Sequence, residues 1–208
     1  MDSPAYSAEF HAAVRGNASH RTEIRDILAA AFAEDPIMLW LLAKAKNSLA
    51  ARRLLFERGV RTTARHGVAE MTGGGEAAAM WAPPGFVKTE GVRGILDETL
   101  GLWSSWRALR GGLAQAGRFY QEMLRGRPGV PHWYLAALGT RPEARRRGAA
   151  SALLAKQLGE CDAQGLPAYL ESSNAANLPL YQRHGFEVLQ RVSFEGSPPI
   201  WLMLRPAR

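Results

Sequence analysis

The chain has 208 residues, 47% hydrophobic and 22% charged, which excludes a disordered or fibrous polypeptide and is enough to bury a core without disulfides or metal. The single cysteine, Cys161, excludes an internal disulfide, and no Cys/His group has zinc spacing, so no metal and a reducing, cytoplasmic setting are expected. The net charge of +7 is spread as 17 basic and 13 acidic groups over residues 1–130 and 9 and 6 over residues 131–208, a dispersal that argues against nucleic acid and suits a small polyanion.

The start, Met1-Asp2-Ser3-Pro4, has no basic or apolar leader, and no apolar run reaches membrane-spanning length, so no membrane partner is expected. Residues 9–15 read as a short edge strand. From Arg21 to Phe32 the apolar residues Ile24, Ile27, Leu28, Ala31 and Phe32 recur at helical spacing. Asp35-Pro36 reads as the cap and first residue of a helix over 37–44. A further helix is predicted over 49–66. Strands over 67–71 and 76–81 are joined by Thr72-Gly73-Gly74-Gly75, and Pro83-Pro84-Gly85 ends the second. Residues 91–125 read as a helical insertion of two helices broken at Gly111-Gly112, with Trp103 and Trp106 on one face. The run HWYLAALGT over 132–140 predicts a strand buried on both faces. A helix over 146–164, a strand over 168–172 and a helix over 175–184 stopped by Gly185 follow, then strands over 186–194 and 200–204. Strands and helices mixed in this way, with short links, predict an α/β or α+β domain.

The chemistry concentrates in the second half. After the strand ending at Thr140, the segment Arg141 to Ser151 runs through an Arg- and Gly-containing turn straight into a helix. The first amides of a helix lack internal partners and sit at the positive end of its dipole, which makes a pyrophosphate cradle. Small residues at Gly148, Ala149 and Ala150 let phosphate oxygens approach the backbone, and Arg145 and Arg146 add charge. A solvated, Arg-rich helix start is the plainer reading of the same residues. The Gly-Lys-Ser/Thr ending of a nucleotide-triphosphate loop is absent, and one glycine does not make a dinucleotide fingerprint.

A second segment, Asn174-Ala175-Ala176-Asn177-Leu178-Pro179-Leu180-Tyr181-Gln182-Arg183-His184-Gly185-Phe186, follows at a distance that holds one helix and one strand. Together the two segments resemble the GNAT superfamily of acyl-CoA-dependent N-acyltransferases. Arg145-x-x-Gly148-x-Ala150 matches its pyrophosphate loop, and Asn174, Leu180-Tyr181 and Gly185-Phe186 match its downstream motif. Ala150 stands where the loop often has Gly, and Arg146 stands at another position that is often Gly. Within the superfamily, the stretches from 132–140, 166–188 and 198–205 look like the branch containing puromycin N-acetyltransferase.

The resemblance implies one acyl-CoA N-acyltransferase domain over 1–208, with the CoA-binding core at 132–194. It implies a twisted, mostly antiparallel mixed sheet of six to seven strands flanked by helices. It also implies a split between the strands at 132–140 and 168–172 that receives acetyl-CoA. Leu138, Gly139 and Thr140 would pair with the pantetheine arm, and Arg145, Arg146, Arg147, Gly148, Ala149, Ala150 and Ser151 would meet the pyrophosphate. Asn174 and Asn177 would bond pantetheine amides or phosphate, with helix capping the alternative for Asn174.

Tyr181 falls where the family places an acid for the departing thiolate; a Tyr packed on the sheet by its ring is the alternative. Glu171 is the base candidate, because an unpaired carboxylate in a central strand is costly and suited to taking a proton; pairing with an Arg such as Arg145 or Arg183 is the structural alternative. His132 is a lesser candidate for the base, and Asp35 reads first as a cap and second as a grip for a cationic substrate. Cys161 reads as a small buried hydrophobe rather than a nucleophile.

The expected activity is acetyl transfer from acetyl-CoA to the primary amine of a small molecule, by a monomer or homodimer. The alternatives are a protein lysine or N-terminal acetyltransferase, or a catalytically weak acyl-CoA-binding regulatory module.

Overall fold

The computed structural model describes residues 13–15, 20–85, 121–194 and 196–208. Its strands are β1 (Ala13–Arg15), β2 (Val68–Thr72), β3 (Ala77–Ala82), β4 (Trp133–Thr140), β5 (Ala168–Ser172), β6 (Glu187–Val192) and β7 (Ile200–Arg205). They form one seven-stranded sheet in the order β1-β2-β3-β4-β5-β7-β6. β4 and β5 run parallel, and the other neighbours run antiparallel. The helices are α1 (Arg21–Ala31), α2 (Pro36–Leu41), α3 (Ser48–His66), α4 (Ala149–Ala163) and α5 (Leu178–Arg183). The mixed, mostly antiparallel sheet with flanking helices is the fold class that the sequence predicts.

Each face of the sheet is covered by the apolar stripe of a helix. Leu153, Leu154, Leu158 and Cys161 of α4 pack with Trp81, Trp133, Leu135, Ala168 and Leu170. On the opposite face Ile24, Ile27 and Leu28 of α1 and Phe56 and Val60 of α3 pack with Met71, Met80 and Ala137. Farther along that face Ile37 of α2 and Met123 cover Tyr169, Ile200 and Leu202. Asp35 caps α2 by accepting the Met38 amide at 2.9 Å, with Pro36 at the first turn, as the sequence predicts.

Two expectations are corrected. The helix after the Arg-rich segment starts at Ala149 instead of 146, because Arg146 and Gly148 adopt left-handed backbone with φ of 63° and 92°. The helix expected over 175–184 is a 3-10 turn at Ala175–Asn177 followed by α5. The strand over 132–140 is covered on both faces, as the sequence predicts, although Ala136 is exposed. The cause is an irregularity in register: Trp81 faces Leu135 while its neighbour Met80 faces Ala137, so Ala136 is an extra residue. Trp133 and Leu135 therefore point to α4, while Ala137 points to α1 and α3. Of the expected insertion over 91–125, residues 121–125 are helical, and the rest, with Trp103, Trp106 and the break at Gly111-Gly112, lies outside the described residues. Residues 9–12 of the predicted first strand do as well.

Candidate active site

The bulge at Ala136 has a consequence for the sheet. β4 pairs with β5 at Trp133↔Ala168, Tyr134↔Tyr169 and Leu135↔Leu170, and the pairing stops there. Beyond Leu135, β4 continues to pair with β3 as far as Thr140. Its other edge, at Leu138, Gly139 and Thr140, borders a cavity of about 820 Å³. A strand edge of this kind presents backbone donors and acceptors to an extended, amide-bearing ligand.

The cavity continues along the turn into α4. Its wall includes Arg145, Arg146, Gly148, Ala149, Ala150 and Ser151. Gly148, the N-cap of the 15-residue helix α4, makes no side-chain cap bond to its first amides. A side chain at Gly148 would meet no atom of the described residues within 4 Å. The amides of a helix start, a bare backbone and three arginines in the lining of the cavity, Arg145, Arg146 and Arg183, fit a diphosphate. Arg145 also donates to the Ala31 carbonyl at 3.1 Å, which ties the turn to the end of α1. Arg147 is exposed and does not line the cavity.

The same wall includes Asn174, Asn177, Leu180 and Tyr181 of the second segment and Phe32, Glu34 and Asp35 of the α1–α2 connection. Asn174 accepts the Ala176 amide at 3.0 Å and so caps the 3-10 turn while lining the cavity. Asn177 lines the wall and makes no side-chain cap bond. Tyr181 is buried, its ring edge-on to Phe186 at 6.0 Å. Burial, and then the nearby charge of Asp35, push its phenol far above the usual tyrosine range. Asp35 uses one carboxylate oxygen for the α2 cap, and the other accepts a hydrogen bond from the Ser173 hydroxyl.

The structure does not bring Glu171 to this wall. Its carboxylate accepts Arg127 Nε at 2.9 Å and the Tyr134 hydroxyl at 2.5 Å. The Arg127 guanidinium lies 4.1 Å from the centre of the Tyr134 ring, and both members of the ion pair are nearly covered, at 8% and 11% side-chain exposure. The ion pair that the sequence offers as the alternative for Glu171 is present, with Arg127 in place of Arg145 or Arg183. His132 Nδ1 contacts the Val130 carbonyl at 2.7 Å, and its ring meets Tyr169 edge-on. Cys161 is fully buried in the α4 face, and burial pushes its thiol up to about 12.

Sequence reasoning missed Arg127, Tyr134 and Ser173. No local pattern marks them, because each matters through a partner at least 37 positions away. Among the described residues no group of three or more His, Cys, Asp or Glu is placed to hold a metal ion, and no helix is long and apolar enough to cross a membrane.

Comparison with known proteins follows the same lines. The model of the acetyltransferase (GNAT) family matches residues 110–186, which include the turn into α4 and the segment of Tyr181. An uncharacterized N-acetyltransferase of Schizosaccharomyces pombe is 37% identical over 60 residues, a match that spans 29% of this chain and only 24% of that protein. The fold resembles a solved histone acetyltransferase HPA2 and related acetyltransferase from Corynebacterium glutamicum, with a TM-score of 0.71 and 24% identity over 94% of this chain and 96% of that one. It also resembles arylalkylamine N-acetyltransferase 2 from Aedes aegypti, with a TM-score of 0.66 and 13% identity over 94% and 98% of the two chains. The family match is thus confined to residues 110–186, the stretch that holds the turn into α4 and Tyr181, and the fold is shared with solved acetyltransferases.

Proposed function

We propose that this chain transfers the acetyl group of acetyl-CoA to the primary amine of a small molecule, by direct attack in a ternary complex. The observation that carries the reading is one cavity whose wall joins the free edge of β4, the cradle at Gly148–Ser151, Tyr181 and Asp35. Acetyl-CoA supplies, when bound, the activated acetyl thioester. The amides and arginines of the cradle hold the diphosphate, and the edge at Leu138–Thr140 orients the arm. Asp35 attracts the ammonium form of the acceptor and takes one proton from it, which frees the lone pair that attacks the thioester carbonyl; the second proton leaves nitrogen as the C–S bond breaks and restores the Tyr181 phenol. Ser173, donating to Asp35, fixes the carboxylate. Tyr181 keeps its proton at neutral pH and gives it to the sulfur as the C–S bond breaks.

Asp35 thus replaces Glu171 as the base in this reading, because Asp35 lines the cavity with Tyr181 while Glu171 is committed to Arg127 and Tyr134. A small acceptor is the reading taken because Asp35 lines the cavity with Tyr181, where an ammonium group can be brought to the thioester. The puromycin N-acetyltransferase-like branch and a cytoplasmic location belong to the same proposal; they are supported by the stretches 132–140 and 166–188 and by the lone buried thiol.

The test is steady-state kinetics with acetyl-CoA against a panel of small amines, lysine peptides and peptides with free N-termini. Turnover of small amines, with intersecting initial-velocity lines, is expected. Turnover confined to peptides would move the acceptor to proteins, and parallel lines would point to an acetyl-enzyme. Binding of acetyl-CoA without turnover of any amine would leave a regulatory acyl-CoA-binding module.

A further inference from the structure

Behind the cradle, Ser151 meets a residue that the mechanism above does not use. Ser151 is in the first turn of α4 and lines the cavity. Its Oγ lies 2.6 Å from Nε2 of His184, the half-buried residue that ends α5 three positions after Tyr181. The His184 amide donates to the Tyr181 carbonyl at 3.0 Å. The contact therefore links the helix that opens the cradle to the helix that carries the proposed acid.

We propose that His184, acting through Ser151, is a proton-linked positioning residue for the diphosphate of CoA: the imidazole takes up one proton from solvent as the diphosphate binds. The inference rests on the acyl-CoA reading above. A hydroxyl has a single proton to donate. When His184 is neutral and accepts at Nε2, that proton points at the imidazole, and Oγ turns lone pairs toward the cavity. A phosphate oxygen there is repelled. When His184 is protonated, Nε2–H donates to Oγ, and the hydroxyl proton is free to donate to a phosphate oxygen.

The charges around the imidazole set the resting state. Arg183 adjoins it on α5. Arg205 of β7 donates from Nε to the His184 carbonyl at 3.0 Å, and the Arg208 guanidinium packs on Gly185. Asp162 of α4 offsets part of this charge by accepting both terminal nitrogens of Arg205 at 2.7 Å. Burial, Arg183 and Arg205 hold His184 below the usual histidine range, so the imidazole is neutral at pH 7 without ligand. A diphosphate at the cradle brings negative charge to the far side of Ser151 and favours the imidazolium. Linkage is reciprocal, so protonation of His184 must tighten binding by the same factor.

The experiment is calorimetric titration of CoA and dephospho-CoA, in buffers of different ionisation enthalpy, between about pH 6 and about pH 8. Dephospho-CoA lacks the 3′-phosphate, so proton uptake on its binding comes from the protein. The wild type should take up a fraction of a proton at about pH 7 and bind more tightly as pH falls, by at most about tenfold per unit for one proton. His184→Gln retains a hydrogen-bonding group that does not titrate, and it should bind with no uptake and no pH dependence. Ser151→Ala retains the imidazole but breaks the relay; it should lose most of the uptake and bind several-fold more weakly at the acid end with little change at the alkaline end.

Dephospho-CoA binding to the wild type without proton uptake overturns this proposal alone, and so does unchanged uptake in either variant. If His184→Gln does not fold, Ser151→Ala decides. Absence of binding by either CoA at any pH overturns the acyl-CoA reading together with this one.

Discussion

Tyr181 and Asp35 come from opposite halves of the chain, and each alters what the other can do. Burial and the Asp35 charge both favour the neutral phenol, which is the form that can protonate a thiolate. Tyr181→Phe keeps the ring against Phe186 and removes the proton; kcat should fall by about 10²-fold, within the ordinary range for general acid catalysis, with little change in CoA affinity or Tm. A rate within about threefold of wild type would return Tyr181 to a packing role.

Asp35→Asn separates the two uses of the carboxylate. The amide oxygen can still accept the Met38 amide, so the α2 cap and the melting temperature should survive, whereas Asp35→Ala should cost about 1 kcal/mol of stability. Asn cannot take a proton, so kcat/KM for the amine should drop by about 10²-fold or more. Loss of the Asp35 charge should also shift the Tyr181 phenol downward, since that charge raises it. Alkaline difference spectroscopy reads this shift, and an unchanged titration would separate the two groups.

At the level of elements, the meeting of α1 with β4 decides where Asp35 lies. Gly139 is the contact. A Cβ there would stand 2.6 Å from the Ala31 Cβ and 3.3 Å from Leu28 Cδ2 and Phe32 Cε2. The helix end can lie this close to the strand only because position 139 has no side chain. Gly139→Ala should displace the end of α1 and the Asp35 turn behind it, at a cost of about 1–3 kcal/mol for an overpacked contact. Thermal melts and amine KM should both move. The double variant with Ala31→Gly should be less destabilised than the sum of the two single changes, since the second removes the atom that the first strikes. Strict additivity would show that the contact is not the cause.

On the scale of the whole molecule, the pair Arg127–Glu171 joins the segment before β4 to the centre of the sheet. Both groups are nearly covered, and Tyr134 adds a hydrogen bond and a ring face. Removing one charge from such a pair leaves the other covered and without its ion-pair partner. Glu171→Gln should therefore destabilise the fold by about 3–5 kcal/mol in denaturant unfolding. Replacement of both residues by apolar ones of similar volume should recover most of that loss. A Glu171→Gln protein with wild-type stability but no activity would instead restore Glu171 as the base.

The local signals of this chain were legible without any structure. Helical spacing in 21–32, the Asp35-Pro36 start, the hairpin at Thr72–Gly75 and the strand-to-helix junction at Gly148 each depend on residues within a few positions of one another, and short-range backbone geometry and burial periodicity suffice to read them. The two segments that resemble the GNAT motifs were legible for the same reason, and the structure lines one cavity with most of their residues. The tertiary structure decided the pairings. Glu171 turned toward Arg127, 44 positions away, and Ser173 toward Asp35, 138 positions away. The bulge at Ala136 reversed the facing of half a strand and ended its pairing with β5. These outcomes depend on which elements become neighbours once the sheet closes. A carboxylate in a strand reads alike in sequence whether it will face a substrate or an arginine, and only the packing of distant segments distinguishes the two.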